Sequence, residues 1–117
     1  MAAKDDLGRW GEDLAADYLR QHGYRVLERN WRCRQGEIDV VAEHDGEIVF
    51  VEVKTRSSLA YGHPFEAITL GKLARMRRLA LAWCVDSGRH HRIRLDAIAI
   101  VAPRDTPVSI EHLVRLS

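Results

Sequence analysis

The sequence predicts one α/β domain, residues 1–117, with a mixed sheet and elements in the order α-β-β-β-α-β-β. Three observations carry this. Apolar residues recur at three- and four-residue steps from Asp6 to His22 and again from about Glu66 to Asp86, the period of helices that bury one face. Two β-rich runs flank Asp45-Gly46, a preferred two-residue hairpin turn. A further strand-like run, His91 to Ala102, follows the second helix.

In the first helix Leu7, Trp10, Leu14, Ala15, Tyr18 and Leu19 make the apolar face, Asp5 and Asp6 can cap the start, and Gly23 stops it. Tyr24 to Trp31 alternates apolar and polar residues as a strand does. Ile38 to Thr55 is the hairpin, and Ser57 to Pro64 reads as a loop. Leu73, Met76, Ala80 and Trp83 form the buried stripe of the second helix, with Lys72, Arg75 and Arg78 beside it. Ser87-Gly88 ends it. After His91 to Ala102, the segment Pro103 to Pro107 breaks the chain, and VSIEHLVRL makes a last strand.

Composition narrows the class. Hydrophobic residues at 46% and charged residues at 30% exclude disorder, and folding should remove about two-thirds of the unfolded surface from water. The longest apolar run, Leu79 to Val85, is too short to cross a bilayer, and the N-terminus lacks the pattern of a signal peptide. Cys33 and Cys84 have no CxxC spacing, so neither a disulfide framework nor a zinc knuckle is expected. A cytoplasmic location with no membrane partner follows as the expectation. The net charge is only +1, yet Lys72 to Arg94 carries seven basic residues (Lys72, Arg75, Arg77, Arg78, Arg89, Arg92, Arg94) against Asp86 alone. Such asymmetry permits nucleic-acid binding, and it equally describes two solvated faces.

The hairpin holds the chemistry. With Asp45 and Gly46 as the turn, His44 opposes Glu47, Asp39 opposes Glu52, and Glu37 opposes Lys54. The two-residue period then gathers Glu37, Asp39, Glu52 and Lys54 on one sheet face and sends Ile38, Val40, Val49, Val51 and Val53 to the other. Two carboxylates facing each other inside an apolar hairpin repel, and a divalent cation would remove that penalty. Hard oxygen ligands suit Mg²⁺ or Mn²⁺, with water, a main-chain carbonyl and substrate phosphate completing the shell. Lys54 would hold an attacking water or stabilise developing negative charge. The alternative is a solvated sheet face with a Glu37–Lys54 pair and no metal.

An acid on one strand followed by Glu52-Val53-Lys54 on the next resembles the core of the PD-(D/E)XK nuclease superfamily. The surroundings sharpen the likeness. GEIDVVA (Gly36 to Ala42), VFVEVKTR (Val49 to Arg56), YGHPFEAI (Tyr61 to Ile68) and Lys72 resemble the bacterial YraN family of small uncharacterised proteins. So do G-x-x-G-E-D-x-A-A-x-Y-L (Gly8 to Leu19) and the segment from Gly23 to Arg32. The resemblance spans roughly residues 8 to 100 and implies a restriction-endonuclease-like mixed β-sheet with flanking helices, similar to archaeal Holliday-junction resolvases. It implies Glu12 as a helix-borne catalytic carboxylate, Asp39 and Glu52 as metal ligands, and Lys54 as the catalytic lysine. Glu37 is a supporting group or merely the partner of Lys54.

The expected function is therefore a Mg²⁺- or Mn²⁺-dependent endonuclease acting on DNA, branched or duplex, with a homodimer as a candidate assembly. Arg56, Lys72, Arg75 and Arg78 are the expected nucleic-acid contacts. The alternatives are a non-catalytic nucleic-acid-binding module of the same fold, in which Arg92 and Arg94 would join Arg75 and Arg78 on phosphates, or a protein-interaction scaffold using a sheet edge. Other residues carry plainer readings. The six histidines lack ligand spacing and are expected to be solvated or to cap. Glu66 favours the positive end of the second helix. Tyr61-Gly62 is a turn or a groove wall, and Trp10, Trp31 and Trp83 are core residues or base-stacking platforms.

Overall fold

The computed structural model describes residues 3–60, 62–88 and 92–116. They form α1 (Ala3–Gln21), β1 (Arg25–Cys33), β2 (Gly36–His44), β3 (Glu47–Arg56), a 3-10 turn (Pro64–Ala67), α2 (Leu70–Ser87), β4 (Arg92–Val101) and β5 (Ser109–Leu113). The strands lie in sequence order in one sheet, and every neighbouring pair is antiparallel except β3 and β4. That parallel pair needs a long crossover, which α2 supplies. The expected element order and restriction-endonuclease-like layout are both present. No helix among the described residues is long and apolar enough to cross a membrane.

Alternation along the strands divides the core between the two helices. Val49, Val51 and Val53 of β3 pack with Val40, Ile98 and Ile100 under Ala15 and Leu19 of α1. Ile48 and Phe50 pack instead with Leu95 against Met76, Leu79, Ala80 and Trp83 of α2. Each fully buried aliphatic or aromatic side chain contributes roughly 1.5–3 kcal/mol, so both helices are anchored through these few residues.

Local chemistry sets the boundaries. Asp45 (φ 50°) and Gly46 (φ 78°) both take the left-handed region, as a two-residue turn matched to strand twist requires. Helix α1 begins at Ala3, so Asp5 and Asp6 fall inside it rather than capping it. Helix α2 starts at Leu70, later than the periodicity indicates, because Ile68 is extended and Thr69 is the true N-cap, accepting from Lys72 N–H. Glu66 belongs to the preceding 3-10 turn. There His63 and Glu66 form a reciprocal capping box, with Glu66 accepting from His63 N–H at 2.9 Å.

Helix α1 approaches β3 at Gly11. A β-carbon there would stand 2.9 Å from the Thr55 β-carbon, closer than such atoms tolerate. Gly11→Ala should therefore destabilise the fold by about 1–2 kcal/mol, because overlap outweighs the gain of roughly 1 kcal/mol in helix propensity. Urea unfolding measures this, and a variant more stable than the natural chain would show that α1 can move away freely.

Candidate metal centre

Five hairpin pairs, from His44–Glu47 to Val40–Val51, follow the expected register. The ladder stops there. One step further, Asp39 Oδ2 accepts the main-chain N–H of Val53 at 2.8 Å. A side chain thus takes the place of a strand carbonyl, and it holds the Asp39 carboxyl in the seam between β2 and β3.

The pleat changes on the other side of β2 as well. Asn30 of β1, the residue in line with Asp39, has φ 53°. Trp31 and Ile38 consequently both join the α2-side core, whereas Val40 stays on the α1 side. Ile38 thus lies opposite to the expected face. Glu37 also departs from expectation. It pairs with Arg32 of β1 (3.1 Å) rather than Lys54, because β2 remains laddered to β1 but has parted from β3.

Asp39 and Glu52 line one cavity of about 20 Å³, together with Glu37, Phe50, Met76 and Leu79. That is room for one water-sized species. Glu52 is half-buried, and its Oε2 is fully buried without a hydrogen-bond partner. Burial pushes Asp39 up to about 7 from 3.8. The Val53 N–H opposes that shift, while the charges of Glu12, Glu52 and Glu37 add to it. Glu12, half-buried on α1, is also raised, first by burial and then by Glu37, against Arg29 and Asn30. The four acids therefore share one electrostatic environment. Among the described residues no three metal-ligating side chains gather closely enough to enclose an ion alone. An orphaned carboxylate oxygen on Glu52 and a desolvated carboxyl on Asp39, both on residues that line this cavity, still fit a hard cation that keeps most of its shell for water and substrate oxygen.

Lys54 is half-buried on β3, two residues from Glu52, and has no acidic partner among the described residues. Arg56 ends the same strand. Arg75 and Arg78 are exposed on α2, and Lys72 is half-buried there. Arg94 must be corrected: it is 4% exposed, too deep for a phosphate contact. It forks onto Asp96 (3.0 and 2.9 Å) and donates to Tyr24 Oη at 2.6 Å. His112 is likewise neither solvated nor a cap, since its Nε2 meets Asp96 at 2.7 Å. This buried network was missed, although an Arg and an Asp two apart in the apolar run RLDAIAIV necessarily share a face. Trp10 is 42% exposed rather than core, and Trp83 is buried with its Nε1 donating to Glu28. The readings for Tyr61 and for His90-His91 lie outside the described residues.

The raised Asp39 pKa has a stability consequence. Without metal the folded state takes up a proton at Asp39 that the unfolded chain has lost, between about pH 4 and 7. Stability from this group is thus full at the acid end and lost as pH rises through that window, by at most about 1.4 kcal/mol per unit. Asp39→Asn should flatten the dependence in melts run with EDTA. Added Mn²⁺ should raise the melting temperature of the natural protein and leave the variant unchanged. Identical pH and Mn²⁺ responses in the two proteins would remove Asp39 from the centre.

Comparison with known proteins gives a consistent grouping. Residues 11–100 match the model of the uncharacterised protein family UPF0102. A UPF0102 protein of Arthrobacter sp. (strain FB24) is 52% identical over 118 residues, covering 97% of each chain. One from Pseudarthrobacter chlorophenolicus is 54% identical over 114 residues, covering 97% of this chain and 86% of the relative. One from Beutenbergia cavernae is 51% identical, again covering 97% of both. With matches that run through the hairpin, both helices and nearly the full length of these relatives, the chain belongs to the UPF0102 family.

Proposed function

We propose that this protein is a Mg²⁺- or Mn²⁺-dependent nuclease of the PD-(D/E)XK superfamily that binds DNA in the cytoplasm and hydrolyses phosphodiester bonds. Branched or junction-like DNA is its substrate class, and a homodimer is its working unit. The observation that carries the reading is that Asp39 and Glu52, whose buried Oε2 has no hydrogen-bond partner, line one water-sized cavity. A purely structural acid pair gains nothing from such an arrangement, since both desolvation and repulsion oppose it.

Asp39 and Glu52 would hold the ion. When bound, the cation neutralises the two carboxylates and stabilises charge that builds on the phosphate oxygens. The Val53 N–H fixes the Asp39 carboxyl, so its direction does not depend on the ligand. Lys54 supplies a positive charge two residues along β3, suited to orienting a water or countering negative charge in the transition state. Glu12 adds a half-buried carboxyl from α1 to the same field. Arg56, Lys72, Arg75 and Arg78 provide contacts to the strand backbone.

The test is incubation with branched, single-stranded and duplex DNA plus Mn²⁺, beside an Asp39→Ala control. Cleavage by the natural protein alone is the expected result. Cleavage by both would assign the activity to a contaminant. Binding of DNA without cleavage of any substrate would leave a nucleic-acid-binding module of the same fold.

A further inference from the structure

A second concave site lies on the α2 face, next to the acid centre. It is an open groove of about 440 Å³ between the end of β1 and the second half of α2. Trp31 and Cys33 of β1 and Ala82 and Val85 of α2 line it, together with Arg34, Gln35 and Asp86. Trp31 is half-buried, packed on the α2-side core while also lining this groove. Val85 is 79% exposed, so the apolar wall faces water.

We propose that this groove stacks one unpaired nucleobase of a DNA strand that passes the acid centre. The inference rests on the nucleic-acid reading above and names the substrate feature it selects. Three properties favour a base over other occupants. An indole that shares the groove with apolar side chains offers a stacking surface to a flat, uncharged ring. Gln35 presents both a donor and an acceptor, and Asp86 an acceptor, as a base edge requires. Asp86 also repels a phosphate from the interior, while Arg34 attracts one to the rim. Arg34 and Asp86 both line the groove, and neither has an ion-pair partner among the described residues.

Position supports the same occupant. Arg75, Ala82 and Asp86 follow one another at steps of seven and four residues, which is one flank of α2 at 3.6 residues per turn. Helix α2 therefore offers a basic contact on the flank that forms the groove. Leu79 lines the acid cavity, and its side chain lies 3.6 Å from where a Gly36 β-carbon would stand. Gly36 directly follows Gln35 of the groove, so the two concavities adjoin through one residue of chain and one turn of helix. A strand laid along α2 would bring a phosphate to the acids and the adjoining base to Trp31. Duplex DNA cannot do this without breaking a pair, whereas single-stranded or branched DNA already has a free base.

The experiment measures binding in EDTA, so that no catalytic step intervenes. The ligands are an oligothymidine strand, a strand of equal length made of abasic sugars, and a duplex. The natural protein should bind the thymidine strand about tenfold more tightly than the abasic one, equivalent to about 1.4 kcal/mol. Its tryptophan fluorescence should be quenched only by the former. Trp31→Leu should bind both strands equally, and Trp31→Phe, which keeps a ring and guards against misfolding of the leucine variant, should retain part of the preference. Equal affinity of the natural protein for the two strands overturns the base site while leaving the nuclease reading intact. So does a preference that survives in Trp31→Leu. Failure to bind any of the three DNAs overturns both proposals together.

Discussion

Asp96→Ala should destabilise the protein by about 3–5 kcal/mol, a larger loss than any surface substitution would cause. Asp96 has no exposed surface, and its two oxygens accept four hydrogen bonds. Oδ1 takes Arg94 Nε and the main-chain N–H of Arg115, both at 3.0 Å. Oδ2 takes Arg94 Nη2 at 2.9 Å and His112 Nε2 at 2.7 Å. With His112 donating to Asp96, its Nδ1 is free to accept from Tyr18 Oη at 3.2 Å, which ties α1 to β5. Removing the carboxylate leaves a buried guanidinium with Glu47 at 3.8 Å as its remaining acid, and leaves two other donors, His112 Nε2 and the Arg115 N–H, unmatched.

The cost should be strongly coupled. Adding Arg94→Met to an Asp96→Leu variant should cost less than the two single changes summed, because the second change removes the stranded charge. Burial alone would raise the Asp96 pKa, but the His112, Arg94 and Arg115 donors more than offset it and hold the carboxyl below its ordinary value. Its folded pKa is therefore below the unfolded one. The stability it contributes is full above about pH 4 and fades as pH falls through the folded value. Urea titrations of the single and double variants at neutral and acid pH measure both effects. A loss under about 1 kcal/mol for Asp96→Ala would mean that the network is incidental to the fold.

That network also marks where sequence reasoning stops. Counting basic residues placed Arg94 with Arg75 and Arg78, because a count records charge and ignores which face a strand position takes. The corrective signal was present: Asp96 follows two residues later, and every later residue of the strand is apolar. The hairpin register was legible because Asp-Gly permits a two-residue turn, and that turn fixes every pair as far as the ladder runs. The point at which the ladder ends was not legible. It depends on a carboxylate replacing a carbonyl at Val53 and on Asn30 adopting φ 53°, a tertiary outcome for a residue that tolerates this region better than most. The acids of β2 and β3 were therefore found by spacing, whereas Glu12 entered through family resemblance, helped only by its place off the Leu7–Trp10–Leu14 stripe. The period of α1 also overstated its buried face. Ala15, Ala16 and Leu19 are fully buried, but Trp10, the residue before the close approach at Gly11, remains 42% exposed.

Lys54→Ala should abolish Mn²⁺-dependent cleavage while leaving DNA affinity and its salt dependence nearly unchanged. The double change Arg75→Ala, Arg78→Ala should do the reverse. The two groups differ in their physical task. Arg75 and Arg78 lie three residues apart and exposed on α2, a spacing that suits one stretch of strand backbone. Phosphate contacts of this kind act through counterion release, so losing both should flatten the slope of log affinity against log salt by up to about two units. Lys54 is half-buried beside Glu52, and a charge held there matters most when negative charge grows on the reacting phosphate. Removing it should lower turnover by at least about a hundredfold and alter ground-state binding little. Fluorescence anisotropy at several salt concentrations and cleavage at saturating DNA separate the two quantities. If Lys54→Ala costs as much affinity and as much salt slope as the arginine pair, Lys54 is one more phosphate contact. The acids would then lack their positive partner in catalysis, and the binding-module reading would stand in place of the nuclease.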